Sequence, residues 1–241
     1  MTAFCKDYCF MCGRYGFSIR KASKVYQRFE IVNQLDDLIS SWNIAPGLFN
    51  PVITQNSPKK ITRMRWGLVP HWAQDSQLAF KTINARCEDI EIKPTYKTSF
   101  KKYRCLVPAS GFYEWDKEVK PSMPYWFSVQ DEEIISFAGL YDLWADPRTG
   151  RILESYTIVT TTANTLVGKV HGRMPVILAK EDENIWLDLD SDILTLKNLF
   201  TPFQSQKMSG YRVGYGVNKS GFDSEELIVP IGNLPKQPSL F

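Results

Sequence analysis

The chain has 241 residues, of which 44% are hydrophobic and 23% charged, a composition typical of a folded globular protein. Its net charge of +3 permits a nucleic-acid partner without requiring one. No apolar run approaches the ~20 residues that a membrane-spanning helix needs, and Lys6 and Asp7 interrupt any signal-peptide core. We therefore expect neither a membrane partner nor secretion.

The first predicted elements are helical. Val25, Tyr26 and Phe29 recur at helical spacing within 23–31, and residues 36–41 predict a helical continuation after a break. A hairpin is predicted next, because two strand-like segments flank an Asn-Ser-Pro turn, at 51–55 and 59–67.

A polar connection and a short basic helix over 95–103 lead into the β-rich part of the chain. Strand-like runs at regular spacing are predicted at 104–115, 124–129, 134–144, 155–163 and 173–178. Helices are predicted at 182–189 and 191–200, followed by a last strand at 211–217. This pattern favours an α+β fold, a single domain with a twisted, barrel-like antiparallel β core and flanking helices.

An odd number of cysteines without an export signal predicts reduced thiols in a cytoplasm: Cys5, Cys9, Cys12, Cys87 and Cys105. The first three have the C-x3-C-x2-C spacing that holds a [4Fe–4S] cluster in radical SAM enzymes. That family places the motif after the first strand of a β/α barrel, whereas the later chain here lacks β-α alternation. A fourth zinc ligand would lie at irregular spacing, so we expect no metal and no cofactor.

The alternative interpretation concerns Cys12 alone. Met11–Arg14 is typical of the start of a mature chain, since an initiator Met is removed before a small residue. A terminal Cys12 would carry an amine with a pKa near ~8 and a thiol near ~8.5 on adjacent carbons. The amine can form a Schiff base with an aldehyde, and the thiol can then close a thiazolidine with an effective molarity on the order of 10⁵ M or more.

For four other residues the sequence allows a functional or a structural interpretation, and it does not decide between them. His171 precedes a predicted strand beside Gly172 and is functional or structural. Glu114 interrupts an apolar run, so it either faces solvent or has a pKa raised for proton transfer. Asn84 is a turn-former or an orienting amide, and His71 is expected on a loop surface.

Basic residues alternate with aromatic ones along much of the chain. Cations follow a phosphate backbone and rings stack on bases, so the pattern is typical of single-stranded DNA binding. A solvated basic face is the alternative. The residues concerned are Arg14-Tyr15, Arg63, Arg65-Trp66, Lys81, Arg86, Lys101–Arg104 and Arg173.

Seven motifs in order resemble the SOS response-associated peptidase family, the abasic-site processing proteins: MCGRYGF, WGLVPHWA, INARCEDI, CLVPASGFYEW, AGLYDLW, TTTAN and HGRMPVIL. The resemblance extends from Met11 to about Leu178. It implies a single α+β domain with a charged groove, and an enzyme that senses abasic sites in single-stranded DNA and crosslinks to them through a thiazolidine. It further implies a lyase side activity, and we expect a monomer in the cytoplasm, associated with the nucleoid if the cell is bacterial.

The resemblance also implies roles for individual residues. Cys12 would be the nucleophile, Glu114 the acid and base, His171 an aid to sugar-ring opening, and Asn84 an orienting group. Only an abasic sugar opens to an aldehyde, so the chemistry of the reaction itself selects abasic sites over intact nucleotides. DNA contacts are implied for Arg14, Trp66, Pro70, His71, Trp72, Arg86, Trp115 and Arg173.

One feature departs from the family pattern. Ten residues precede Met11, so the nitrogen of Cys12 belongs to a peptide bond and is no nucleophile. We therefore expect 1–10 to be an extension that is removed, by the protein itself or otherwise, or not translated, and 11–241 to be the family's domain. The alternatives are a thiol peptidase acting on proteins and a non-covalent single-stranded DNA-binding protein.

Overall fold

A computed structural model describes residues 12–231, so the predictions for the extension, Cys5 and Cys9 lie outside the described residues. The described chain has thirteen strands: β1 (Arg14–Phe17), β2 (Ser41–Ile44), β3 (Phe49–Thr54), β4 (Ser57–Trp66), β5 (Asn84–Arg86), β6 (Arg104–Ala109), β7 (Gly111–Asp116), β8 (Met123–Val129), β9 (Ile135–Ala145), β10 (Ile152–Thr162), β11 (Arg173–Pro175), β12 (Ile177–Leu178) and β13 (Met208–Arg212). Its α-helices are α1 (Ala22–Arg28), α2 (Pro94–Lys102), α3 (Lys180–Leu187) and α4 (Ile193–Asn198).

Five strands close into a barrel. Their order is β10-β4-β3-β6-β9, and β9 pairs again with β10 from Ala145 opposite Ile152 to Gly139 opposite Ile158. The predicted barrel-like core is thus confirmed. The pairing of β4 with β10 is parallel, whereas the other barrel pairs are antiparallel. A parallel pair needs a long crossover, which the chain between β4 and β10 supplies.

A second sheet of five strands, in the order β13-β8-β7-β1-β2, packs on the barrel. Tyr15, Phe112 and Phe127 from this sheet share one hydrophobic core with barrel residues such as Phe137. The phenol oxygens of Tyr15 and Tyr156 lie 2.7 Å apart across the two sheets. The common core joins both sheets in a single domain, as expected.

The predicted strand over 104–115 is wrong in one respect, because it is two strands in different sheets. Ser110 separates β6 from β7, and its N–H donates to the carbonyl of Gly16 at 2.7 Å. Likewise 173–178 divides into β11, which pairs with β10, and β12, which pairs with β9. A run of apolar residues indicates that the segment is buried, but it does not indicate which sheet the segment joins.

Two further predicted elements differ from the structure. Residues 36–41 are not helical. Polar side chains in this segment and in the residues just before it form hydrogen bonds with β4 instead of stabilising a helical turn. The Asn33 amide exchanges two hydrogen bonds with the backbone of Ile61, and Asp37 accepts from Arg63 at 2.8 Å. The last strand begins earlier than predicted and ends at Arg212.

The strands of the second sheet bring distant residues to one place. Tyr113 pairs with Arg14, so Cys12, two residues before β1, lies beside the end of β7 that carries Glu114. The segment with His171 enters the same region before β11, which pairs with the end of β10. Within residues 12–231 no helix is both long and apolar enough to cross a membrane.

Candidate active site

Cys12 lies two residues before β1 in a buried position. Its φ of 42° is in the left-handed region, which a non-glycine residue adopts at some cost. The nitrogen of Cys12 donates to Oε1 of Glu114 at 2.8 Å. Because Met11 precedes it, this nitrogen is a peptide nitrogen, and it stands in for the α-amine that a shortened chain would have.

Glu114 is the carboxylate at the centre of the site. Both Cys12 and Glu114 are only 2% exposed, which excludes a solvent-facing role for Glu114. Burial raises the pKa of the Glu114 carboxyl, and the nearby His171 and the hydrogen bonds from Cys12 oppose this only in part. A carboxyl with a raised pKa can take up and release a proton nearer neutral pH than an exposed one.

His171 contacts the same carboxylate from the other side. Its side chain is 13% exposed, and Nδ1 lies 3.6 Å from Oε1 of Glu114, an ion-pair distance but too long for a hydrogen bond. The backbone N–H of Arg173 donates to Nδ1 at 3.2 Å. The same nitrogen lies 3.3 Å from the carbonyl oxygen of Arg173, so the backbone of Arg173 holds the orientation of the His171 ring.

The thiol of Cys12 is neutral in this environment. Burial and the adjacent Glu114 carboxylate raise the pKa of the Cys12 thiol, while Arg173 acts weakly in the opposite direction. A thiol peptidase needs a thiolate, which positive surroundings favour and a buried carboxylate disfavours. The arrangement is better suited to a reaction that the nitrogen of Cys12 begins and its thiol completes.

Arg173 is held by a residue that the sequence analysis missed. Both terminal guanidinium nitrogens contact the carboxylate of Glu88, with Nη2 to Oε2 at 2.9 Å, and Nη2 also donates to the Thr160 carbonyl at 2.7 Å. Arg173 lowers the pKa of Glu88 to about 2. The only sequence signal was the position of Glu88 two residues after Arg86 in the INARCEDI motif.

Two predicted DNA-binding residues contact the C-terminal part of the described chain. Nη1 of Arg14 donates to Oδ1 of Asn43 at 2.6 Å and to the carbonyl of Val217 at 3.2 Å. Nε1 of Trp115 donates to Oδ1 of Asn218 at 2.9 Å. These contacts give the region after 213 a packing role, and the DNA contacts of Arg14 and Trp115 stay predictions.

Asn84 and Arg86 begin and end the short strand β5, which pairs in parallel with β10 from Ile158 to Thr160. The carbonyl of Asn84 accepts from the Tyr96 hydroxyl at 3.0 Å. Since β10 also pairs with β11, this strand connects the Asn84 segment with the Arg173 segment. The side-chain roles predicted for Asn84 and Arg86 stay predictions.

Trp66 and Pro70 are buried, so their prediction as DNA contacts is corrected. The ring of Trp66 is fully buried at the end of β4, 5.2 Å from the Tyr15 ring and stacked at 6.4 Å on Tyr156. Its Nε1 donates to the Ile83 carbonyl at 2.8 Å. Since Pro70 is buried as well, a DNA strand could reach neither without unfolding this part of the core.

His71 and Trp72 are exposed on the loop that follows. The backbone nitrogen and Nδ1 of His71 each lie 3.0 Å from Oδ2 of the buried Asp142. The indole of Trp144 anchors the same loop through the Ala73 carbonyl at 2.7 Å. These contacts anchor the loop while Trp72 stays exposed, which suits the DNA contact that the resemblance implies for Trp72.

The cysteines of the described part are free thiols: Cys12, Cys87 and Cys105. Among residues 12–231 no group of three His, Cys, Asp or Glu side chains lies in an arrangement that could hold a metal ion. The mostly antiparallel barrel also differs from the β/α barrel in which radical SAM enzymes hold their cluster motif.

Comparisons with known proteins agree with the resemblance. The chain is 35% identical over 219 residues to the abasic site processing protein YoqW of Bacillus subtilis, covering 83% of this chain and 97% of that one. It is 32% identical to the abasic site processing protein HMCES of Gallus gallus, covering 82% of this chain and 68% of that one. A crystal structure of a protein from Bacteroides thetaiotaomicron superposes with a TM-score of 0.81 at 31% identity, covering 90% and 99%. Since the profile "SOS response associated peptidase (SRAP)" matches residues 11–220, the chain belongs to the SRAP family.

Proposed function

We propose that this protein processes abasic sites in single-stranded DNA and forms a covalent thiazolidine crosslink to them through Cys12. The contact between the nitrogen of Cys12 and the buried carboxylate of Glu114, at 2.8 Å, carries the proposal. It brings a nucleophile and a proton acceptor together at the residue where the family resemblance expects them. The relatives named abasic site processing proteins supply the substrate class.

Loss of residues 1–11 converts the nitrogen of Cys12 from an amide into an amine. Beside Glu114, an ammonium can pass a proton to the carboxylate, and burial favours the resulting pair of neutral groups. The free amine then attacks the aldehyde carbon of the opened sugar. A C–N bond forms, water leaves, and Glu114 returns the proton that the departing oxygen needs.

Ring closure uses the thiol. The sulfur of Cys12 adds to the imine carbon, its proton goes to the imine nitrogen, and the product is a five-membered thiazolidine. A neutral thiol is suited to this step because it supplies both the new bond and the proton. His171, next to Glu114, is positioned to exchange protons with the sugar oxygen during ring opening.

The experiment compares a protein that begins at Met11 with the 241-residue chain. Each is incubated with an oligonucleotide that contains one abasic site and with its intact counterpart. We expect a heat-stable complex only for the shortened protein with abasic DNA. A crosslink of equal yield from the full chain with residues 1–11 still attached would refute the role of the amine.

One substitution at Cys12 and one chain whose Cys12 amine is blocked separate the chemical steps. Cys12→Ser keeps an amine but lacks the thiol, so it should give a complex trapped by borohydride and little that survives heating. A chain beginning at Met11 whose initiator Met is retained should give neither. If Cys12→Ser formed as much heat-stable product as the natural protein, the thiazolidine would be wrong. Salt-sensitive binding without any covalent product would instead support a non-covalent binder.

The same Schiff base leads to strand cleavage when ring closure is slow. A base can remove the proton next to the imine carbon, and β-elimination then breaks the bond to the 3′ phosphate. We therefore propose lyase activity as a side reaction that Cys12→Ser increases. Cleaved DNA is measured on the same gels, and unchanged cleavage in this variant would contradict the proposed competition.

Autocatalytic removal of the leader is a second candidate, favoured by the left-handed φ of Cys12 and by Glu114 at its nitrogen. The sulfur would attack the carbonyl carbon of Met11 while Glu114 takes the proton of the thiol and passes it to the departing nitrogen of Cys12, so that a thioester forms as the peptide bond breaks. Water then hydrolyses the thioester and restores the thiol. Intact mass should show loss of residues 1–11 in the natural chain and their retention in Cys12→Ala, whereas loss in both would assign the removal to another protease.

A further inference from the structure

Asn43 in β2 is a buried amide that has no role in the function proposed above. It is only 6% exposed, so its polar atoms need hydrogen-bond partners inside the protein. Its Oδ1 accepts from Nη1 of Arg14 at 2.6 Å, and its Nδ2 donates to the carbonyls of Phe222 at 2.7 Å and Val217 at 3.3 Å. One side chain thus joins the strand that follows Cys12 to a segment near the C-terminal end of the described chain.

The strand register explains why Asn43 and Arg14 meet. Tyr15 and Ile44 lie opposite each other in the β1–β2 pair, and both face the main hydrophobic core. Because side chains alternate along a strand, Arg14 and Asn43, their neighbours, face the other side of the second sheet. The chain after β13 covers that side through a second, smaller hydrophobic cluster, which contains Tyr113, Trp126, Val213, Val217 and Leu227.

The segment that this amide binds extends from 217 to 223, and we call it the C-terminal segment. The backbone N–H of Trp42 donates to Oδ1 of Asp223 at 2.6 Å. Nε1 of Trp115 donates to Oδ1 of Asn218 at 2.9 Å. The buried amide is therefore supported by a segment that other hydrogen bonds also hold in place.

Arg14 is the residue whose position depends on this arrangement. It follows Cys12 by two residues and pairs with Tyr113, the neighbour of Glu114, so it lies beside the two central residues of the site. An arginine side chain has many rotamers, and a ligand that has to order it binds less tightly than one that finds it ordered. The amide oxygen of Asn43 is a neutral acceptor, which orients the guanidinium without neutralising its charge.

We propose that Asn43 is a positioning residue for the DNA strand, which holds the Arg14 guanidinium in the orientation that binds a phosphate next to the abasic sugar. The inference rests on the proposed function and on the DNA contact that the resemblance implies for Arg14.

An amide suits this task better than other side chains of its size. It has one oxygen that accepts from the guanidinium and one nitrogen that donates to two carbonyls, so both of its ends are used. Aspartate would neutralise Arg14 and repel the carbonyls of the C-terminal segment. Leucine would offer neither a donor nor an acceptor, and buried polar groups around it would lose a partner.

The test is a double-mutant cycle, which measures whether Asn43 acts through Arg14. The protein that begins at Met11 carries Asn43→Ala, Arg14→Ala or both, and its affinity for intact single-stranded DNA is measured. We expect each single substitution to weaken binding about tenfold, the effect of one hydrogen bond to a charged group. The double variant should bind no more weakly than Arg14→Ala, because no guanidinium is left to position. The rate of crosslinking at limiting abasic DNA should follow the same pattern.

A matched control and a second variant separate this role from a loss of folding. Asn33→Ala removes an amide that makes two hydrogen bonds with the backbone of Ile61, so it should lower the free energy of unfolding but change DNA affinity less than about twofold. Urea unfolding shows whether Asn43→Ala folds, and Asn43→Asp, which has almost the natural volume, replaces it if it does not. Asn43→Asp should reduce the salt slope of DNA binding by about 0.7, because the new carboxylate pairs with Arg14 in place of one phosphate.

Two results would overturn the positioning role. One is a double variant in which the two single effects on affinity multiply, since Asn43 would then act independently of Arg14. The other is natural affinity with an unaltered salt slope in Asn43→Ala or Asn43→Asp. If the natural protein failed to crosslink while the cycle showed coupling in DNA affinity, the proposed function would be wrong and the positioning of Arg14 by Asn43 would still be supported.

Discussion

Replacing Glu114 with Gln tests the proton-transfer role most directly. Gln has nearly the same volume and keeps an oxygen that can accept from the nitrogen of Cys12, where Glu114 now accepts at 2.8 Å. It cannot take a proton from the amine or return one to the departing oxygen. The substitution therefore removes chemistry from the site with little change in shape.

The expected effect on rate follows from general acid–base catalysis, which contributes about 10²–10⁴-fold. We expect crosslinking at saturating DNA to slow about 100-fold or more, which corresponds to at least about 2.7 kcal/mol of transition-state stabilisation. Affinity for DNA should stay within a factor of about three, since the carboxylate is only 2% exposed and offers no surface to a phosphate.

Glu114→Gln should lower activity, but it should make the free energy of unfolding fall less as pH rises. In the full chain burial raises the pKa of Glu114 above its unfolded value, so the folded state binds more protons than the unfolded state in the interval between the two. The stability that this group contributes is present below the unfolded pKa and is lost as pH rises through the folded pKa. A pKa raised by one unit corresponds to about 1.4 kcal/mol. Glu114→Gln should therefore lose less stability than the natural chain as pH rises above the pKa of an unfolded glutamate.

The assay is single-turnover crosslinking with excess shortened protein, quenched at intervals and resolved on denaturing gels from pH 5 to 9. Glu118→Gln is the matched control, because Glu118 is exposed just after the same strand. Urea unfolding of the full chain at pH 5 and pH 8 measures stability. A rate for Glu114→Gln within threefold of the natural protein, or a large loss of DNA affinity, would refute the acid–base role.

Three other predictions use different parts of the structure. Glu88→Gln frees Arg173 from its carboxylate, so affinity for intact single-stranded DNA should rise up to about fivefold in binding assays, and a decrease would contradict this view of Glu88. Trp72→Ala should weaken binding of abasic DNA about tenfold while Trp72→Phe retains most affinity, and equal losses would exclude stacking. Gly67→Ala should lower the free energy of unfolding by about 1–3 kcal/mol, because its φ is 112° and a Cβ would meet the Ala79 carbonyl at 2.5 Å; an unchanged urea midpoint would contradict this.

Local patterns predicted elements well where neighbours in sequence are neighbours in the fold. The hairpin of β3 and β4 was predicted from its turn, and its register runs from Phe49 opposite Arg65 to Thr54 opposite Ser57. The failures have a common cause. Trp66 and Trp72 belong to the same motif, but Trp66 is buried in the core whereas Trp72 is exposed, and no local pattern distinguishes a ring that is free to contact DNA from a ring that packs.

The amino-acid sequence was sufficient for the family and the α+β class, because these depend on residue types and motif order, and it led to the proposal that Cys12 is the reactive residue. Tertiary structure decided the protonation environment of Glu114, the pairing of Glu88 with Arg173, and the contact of Trp66 with Tyr15. Each of these is a contact or its absence between segments far apart in the chain, as with Cys12 and Glu114, which are 102 residues apart. Such contacts arise only when strands from distant segments pair, and burial then sets the charge of the groups that meet.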